Sequence, residues 1–219
     1  LVFSTLSVWL REAGVARETI GYASLIGLAY AFKWVWSPLL DQWRLPFLGK
    51  LGRRRSWLVL SQSLIVLGLI GMGFCDPQKH LSWLIAIAVL VAFSSATQDI
   101  AIDAYRLEIA EDSRQAALAA SYMSGYRVAA LLSTAGALYF AEGFGSTGFS
   151  YKHSAWAGTY ILFGLLMLPA LVTTMVMREP PVPLRTQLSA ARYGFNHQLA
   201  SVFVLIILLV SVPAMFTQL

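Results

Sequence analysis

Apolar positions gather into runs too long for a soluble core. Complete runs of membrane length lie at residues 20–40, 56–75, 81–103, 115–141 and 155–177, and another extends from about 199 to the end. Each is near the roughly 20 residues that an α-helix needs to cross a hydrocarbon layer about 30 Å thick. Residues 1–10 (LVFSTLSVWL) are apolar but half that length, and they read as the tail of a helix whose beginning is absent, so a fragment is expected. Polar and breaker-rich separators at 11–19, 41–55, 76–80, 104–114, 142–154 and 178–198 divide the seven segments.

Composition agrees with the pattern. Of 219 residues, 58% are hydrophobic and 12% charged, about half the charge of an ordinary soluble domain. Disorder is excluded, and an all-α membrane protein is expected, because helices satisfy every backbone polar group internally. The one cysteine, Cys75, cannot form an internal disulfide, and His80, His153 and His197 are too dispersed for a metal site. Residues 143–148 spell G-x-G-x-x-G, but a helical run and not a strand precedes them, so they read as a loop. No cofactor is expected. A membrane enzyme such as an acyltransferase would need a nucleophile system at membrane depth, where no histidine lies. A six-span structural or regulatory subunit is the remaining alternative to a carrier.

The net charge of +5 has an address along the chain. Separators 41–55, 104–114 and 178–198 hold ten lysines and arginines, Arg44, Lys50, Arg53, Arg54, Arg55, Arg106, Arg114, Arg178, Arg185 and Arg192; the alternate separators hold four, Arg11, Arg17, Lys79 and Lys152. Ten against four puts the first set in the cytoplasm. The excess therefore reports orientation, and a nucleic-acid partner is unnecessary. In the last separator Pro180, Pro181 and Pro183 stop a helix, after which Leu184, Leu188, Ala191 and Phe195 recur at helical spacing, predicting a short helix on membrane lipid.

Four charges are left inside the spans: Lys33, Asp99, Asp103 and Arg127. A charge at the bilayer centre costs at least about 2.5–3.5 kcal/mol, so these should face one another or a watery cavity. Asp99 and Asp103 share a helix face with Ser95, and Lys33 shares one with Tyr30, Trp34 and Ser37. Lys33 and Arg127 are candidates to meet an anionic or sugar-sized ligand or to hold the carboxylates, with Tyr30 and Tyr126 offering aromatic faces; Asp99 and Asp103 are candidate proton-coupling groups. Ser121, Gly125, Ala129, Ser133 and Ala137 form a small-residue seam at steps of four, suited to close helix packing or to sliding. The spans at 56–75 and 155–177 carry no charge and suit the lipid-facing periphery.

Ser37-Pro-Leu-Leu-Asp41, followed by Gly49 and Gly52-Arg53-Arg54-Arg55, resembles the major facilitator superfamily signature between the second and third helices. Ser37 replaces its first glycine, Gln42 follows the aspartate, and residues 43–51 delay the basic cluster. Within that superfamily, Ala31-Phe-Lys33-Trp-Val-Trp-Ser-Pro-Leu-Leu-Asp41, Gly52-Arg-Arg-Arg-Ser-Trp57, Ala96-Thr-Gln-Asp99-Ile-Ala-Ile-Asp103-Ala104 and Gly125-Tyr-Arg127 are similar to the muropeptide permease (AmpG) family.

The resemblance implies the N-terminal six-helix half of a major facilitator fold: a bundle over 1–177 with helix 1 truncated, an inter-half loop at 178–198, and the start of helix 7 at 199–219. It implies a multi-pass importer in the bacterial inner membrane, monomeric as the full-length protein. Anhydro-muropeptides, amphiphilic sugar-peptides from peptidoglycan recycling, would enter with protons, with an influence on β-lactamase induction and antibiotic resistance. Another solute, such as acetyl-coenzyme A, is the alternative cargo. Asp41, Arg53 and Arg54 would act at the inner gate, Asp41 meeting a helix N-terminus of the other half.

Overall fold

The computed structural model describes residues 4–42, 45, 48–147 and 150–181. These form helices and short turns, with no strand among them beyond one isolated bridge between Thr147 and Ser150. The expected surface helix at 184–195 and the span from 199 lie outside the described residues.

The first stub is helical, as α1 (Thr5–Glu12). The stretch expected as one span at 20–40 is instead a broken series: α2 (Arg17–Ala23), a 3-10 turn, α3 (Leu28–Ala31), a second 3-10 turn, and α4 (Ser37–Gln42). Local chemistry accounts for the second break. Pro38 has no N–H to give to the carbonyl four residues earlier, and that group, Trp34 C=O, accepts from the Ser37 hydroxyl at 3.2 Å instead. Phe32 leaves helical geometry at φ −95°, ψ 6°, ending α3, and Trp36 sits at the edge of the helical region at φ −104°, ψ 0°.

Three long helices follow, α5 (Arg53–Phe74), α6 (Pro77–Ile109), which is kinked at His80, and α7 (Gln115–Gly143), then α8 (His153–Leu166) and α9 (Leu168–Val176), separated by a hitch before Pro169. Segments Arg53–Phe74, Pro77–Ile109 and His153–Val176 are long and apolar enough to cross a membrane. At 29 residues α7 is also long enough, but Arg127 and its many small and hydroxyl residues dilute its apolar character. Helix α6 begins sharply because Asp76 caps it, accepting from the Gln78 N–H at 3.1 Å, with Pro77 next in line. Its 33 residues rise about 50 Å, more than the hydrocarbon layer. Residues 104–109, expected in a separator, therefore continue the helix beyond the apolar zone.

Helix α5 departs in part from the expected lipid-facing periphery. Trp57, Leu58, Ile65, Val66, Leu69 and Met72 are buried, where α5 packs on α6 and on α8 and α9, while Leu67 and Phe74 stand exposed on its outer face. An all-apolar helix reads the same whether covered by lipid or by protein, and charge content alone could not separate the two. Helix α9 fits the periphery better, with Val172 and Val176 exposed.

Glycines set the closest approaches of α5. A Cβ on Gly73 would stand 3.0 Å from the Ala157 carbonyl oxygen of α8, a backbone atom with little room to yield. At Gly71 the nearest atom, the Ile87 Cδ1 methyl, would be an ordinary 3.6 Å away. Gly73→Val should therefore destabilise the protein by about 1–3 kcal/mol, whereas Gly71→Ala should be neutral or stabilise it by up to about 1 kcal/mol. Thermal melts of the two detergent-solubilised variants, followed by tryptophan fluorescence, compare them directly.

Candidate functional site

Three polar clusters sit on this scaffold, one at each end of the long helices and one between. At the basic end, the N-terminus of α5 presents Arg53 and Arg54 to Glu108 on the last turn of α6. The Glu108 carboxylate accepts from Arg53 at 2.9 Å and from the Nη2 and Nε of Arg54 at 2.6 and 3.1 Å. Arg54 also pairs with the Asp41 carboxylate at 2.8 Å, and Arg53 donates to the Asp41 carbonyl at 2.6 Å. Both arginine side chains are 4% exposed and Glu108 9%, so these are charge-assisted bonds in a largely dry setting.

The same end gathers a third separator. Glu179 accepts the backbone N–H groups of Arg54 and Arg55 at 2.7 and 3.1 Å, occupying the positive end of α5. Gly52 makes room for it: its φ is +107°, and a Cβ there would run into the Glu179 side chain. Tyr105 adds a bond to the Arg178 carbonyl at 2.9 Å. Separators 41–55, 104–114 and the start of 178–198 thus share one end.

The alternate separators meet at the opposite end. Glu12 accepts from Trp156 Nε1 at 2.7 Å and from the Ser146 hydroxyl at 2.8 Å, Gln78 donates to the Ala13 carbonyl at 3.1 Å, and Tyr151 donates to Asp76 at 3.0 Å. Burial in this loop, then the bond to Asp76, pushes the Tyr151 phenol above its usual range. Of the glycine-rich segment, the described residues 143–147 belong to this clasp, with Ser146 buried among them.

Between the ends, Lys33 forms an ion pair with Asp99 Oδ2, while Asp99 Oδ1 accepts from the Tyr122 hydroxyl of α7 at 2.9 Å. Tyr30 and Ser95 share a hydrogen bond of 2.6 Å beside them. Two adjoining cavities of about 730 and 410 Å³ open here and share Tyr30, Ser95, Gln98, Tyr126 and Ala129 in their walls. A carboxylate, phenols and an amide, together with an apolar wall of Leu69, Val91 and Met167, line the two cavities and suit a ligand with sugar-like and apolar parts; Lys33 reaches them only through its pair with Asp99 and is outside both walls.

Of the residues singled out by sequence, Lys33, Asp99, Tyr30 and Tyr126 come together. Asp103 does not reach Lys33; it pairs with Arg106 one turn along α6 at 3.4 Å, because i,i+3 neighbours meet on a helix more readily than a partner across the cavity. Arg127 lies on an exposed face of α7 outside both cavity walls, and no ion pair engages it among the described residues. The small-residue seam is not a packing surface here: Ser121, Gly125, Ala129 and Ser133 line cavity, and only Ala137 is buried. Sequence reasoning passed over Glu108, Glu179 and Tyr122. Tyr122 stands one helical turn before Tyr126, a signal that was present; the two glutamates lie in separators, where acidic residues look like solvated surface.

A family model of the Major Facilitator Superfamily matches residues 1–219. The chain belongs to that superfamily. Among curated major facilitator relatives, it is 38% identical over 187 residues to the anhydromuropeptide permease of Escherichia coli strain K12, covering 84% of this chain and 36% of the relative. It is 36% identical over 179 residues to a Rickettsia felis protein named putative transporter AmpG 4, covering 82% of this chain and 41% of that protein. An uncharacterised Haemophilus influenzae protein is 35% identical over 176 residues, 80% of this chain and 38% of the relative. The chain thus spans well under half the length of these relatives.

The basic-end cluster makes a stability prediction for this major facilitator chain. Glu108→Ala removes the shared acceptor and leaves two buried guanidiniums underpaired, which should cost on the order of 3 kcal/mol. Thermal melting of the solubilised full-length protein should drop accordingly, with Arg54→Lys losing part of the same stability because an ammonium cannot fork across Asp41 and Glu108.

Proposed function

We propose that the chain forms the N-terminal six-helix part of a secondary transporter that imports peptidoglycan-derived anhydro-muropeptides across the bacterial inner membrane. The observation that carries this reading is the 38% identity to an anhydromuropeptide permease over 84% of the chain. The cavity chemistry supports it: an amphiphilic sugar-peptide has rings for Tyr30 and Tyr126 and hydroxyls and amides for Ser95 and Gln98, and Lys33, paired with the cavity-lining Asp99, is the nearby cation for its carboxylates. In this reading residues 1–177 are the bundle, 178–198 the inter-half loop and 199–219 the start of the second bundle, and the full-length protein works as a monomer in membrane lipid. The basic end faces the cytoplasm, since its separators carry ten of the basic residues.

Transport runs by alternating access, driven by protons. Asp99 is the coupling group: a proton on its carboxylate ends the ion pair and frees the Lys33 ammonium for a substrate carboxylate. Release of substrate lets Asp99 give up the proton and take Lys33 back. Asp103, held by Arg106, is a second carboxylate on the same face. Arg127 serves substrate or carboxylates contributed from elsewhere in the full-length protein. Asp41, Arg53 and Arg54 work as the inner gate, whose opening separates Asp41 from Arg54 and engages a helix terminus of the other half.

Uptake of labelled anhydro-muropeptide into proteoliposomes holding the full-length protein tests the reading. An imposed inward proton gradient should drive accumulation in wild type, and Asp99→Asn should abolish gradient-driven accumulation. Unlabelled anhydro-muropeptide should compete, and acetyl-coenzyme A should not. Competition by acetyl-coenzyme A alone would reassign the cargo, and uptake indifferent to Asp99→Asn would remove its coupling role.

A further inference from the structure

Helix α7 packs on α8 toward its C-terminal end, where Phe140 meets Phe163, and is open along its middle. Along its middle, from Ser124 to Leu132, every residue is exposed, and its small side chains leave open space; a Cβ on Gly125 would meet nothing within 4 Å. Against that background Tyr122 is anchored twice to α6. Its hydroxyl donates to Asp99 Oδ1 at 2.9 Å, and its ring lies under the Arg106 guanidinium with 5.0 Å from the cation to the ring centroid. Arg106 in turn holds Asp103. The groups around Asp99 are then Lys33 and Tyr30 from the broken segment, Asp103 and Arg106 from its own helix, and Tyr122 and Tyr126 from α7.

We infer that Tyr122 is the positioning residue that communicates the state of the Lys33–Asp99 pair to α7. The inference rests on the transport reading above and extends it to how the pair moves a helix. With Asp99 ionised, its two oxygens are divided between partners on opposite sides, Lys33 on one and Tyr122 on the other, so the carboxylate bridges the broken segment to α7. A hydrogen bond to an ionised acceptor is stronger than one to a neutral acceptor. When Asp99 takes a proton and Lys33 leaves, the phenol loses that stronger acceptor, and of the two anchors of Tyr122 on α6 only the ring contact with Arg106 remains; the bond from Gln115, at the start of α7, to the Leu107 carbonyl is a separate hold on α6. Tyr122 thus converts a change of charge on α6 into slack between α6 and α7, beside the cavity that Tyr126 and Ala129 line.

Tyr122→Phe isolates the hydroxyl, because the ring and its place under Arg106 remain. In full-length protein in proteoliposomes, its KM for anhydro-muropeptide should stay within about twofold of wild type, while the maximal rate should fall by at least about tenfold, the lower bound for losing one hydrogen bond to a charged group. A raised KM at unchanged maximal rate would make Tyr122 a substrate contact, and unchanged kinetics would give it no role; either overturns the inference. A second measurement needs no substrate. With a cysteine introduced at Ala129 in a cysteine-free background, the rate of labelling by a water-soluble maleimide reports the position of α7. Asp99→Asn and Tyr122→Phe should each change that rate in the same sense, and the double variant should change it no further than the larger single effect. Additive changes, or no change in any variant, would overturn the inference even if the cargo proved to be another solute. Unaltered melting of Tyr122→Phe separates these outcomes from misfolding.

Discussion

A charge taken out of bulk water, within the membrane or in a closed fold at its edge, is stabilised by a counter-charge, and the acidic residues of α6 from Asp99 to Glu108 are organised by that demand. Along one helix, Asp99 meets Lys33, Asp103 meets Arg106, and Glu108 meets Arg53 and Arg54. Each pairing fixes a different neighbour. The first holds the broken segment of residues 17–42 against α6; the last fixes the start of α5 and, through Arg54, the end of α4 at Asp41. Break the pairings, and the desolvation cost of each ion falls on a helix that has no other way to recover it.

The same logic explains which helices are tightly packed and which are not. Helix α5 carries its charges only at its first turn, and the rest of its length is free to be enclosed by α6, α8 and α9. Helix α7 carries small and hydroxyl residues with Arg127 in their midst, and it stands against open cavity. Tight packing and open cavity adjoin: Ile65, Leu69, Val91 and Ala92 belong to the core and also form part of the cavity wall. The floor of the cavity is thus the rigid core itself, in which Trp9, Trp156 and Tyr160 are fully buried, while its other side is the open face of α7.

Much of this was legible in the sequence because hydrocarbon imposes a simple rule on length and charge. The runs at 56–75, 81–103, 115–141 and 155–177 all appear as helix, and the alternation of basic and less basic separators anticipates which of them meet. Lys33 and Asp99 stood out because charge is rare there. Three things were not legible, each for a physical reason. Periodicity does not show that Pro38 and its surroundings break the helix into α and 3-10 pieces. An apolar face does not say whether lipid or protein covers it, so the enclosed side of α5 was missed. Acidic residues in short connections look solvated until a fold closes around them, which hid Glu108 and Glu179.

The length of α6 has one more implication. From Leu81 to Ile109 the helix is continuous, about 43 Å of stiff backbone, clamped by Glu108 at its far end and carrying the Lys33–Asp99 pair along its span. Asp99, Asp103 and Glu108 therefore stand at fixed separations on one piece. The kink at His80, where φ is −133° and ψ 43°, lies between that piece and the turn that Asp76 caps and Tyr151 grips, so the arginine clamp and the tyrosine grip are held by segments joined through a bend rather than by one straight beam.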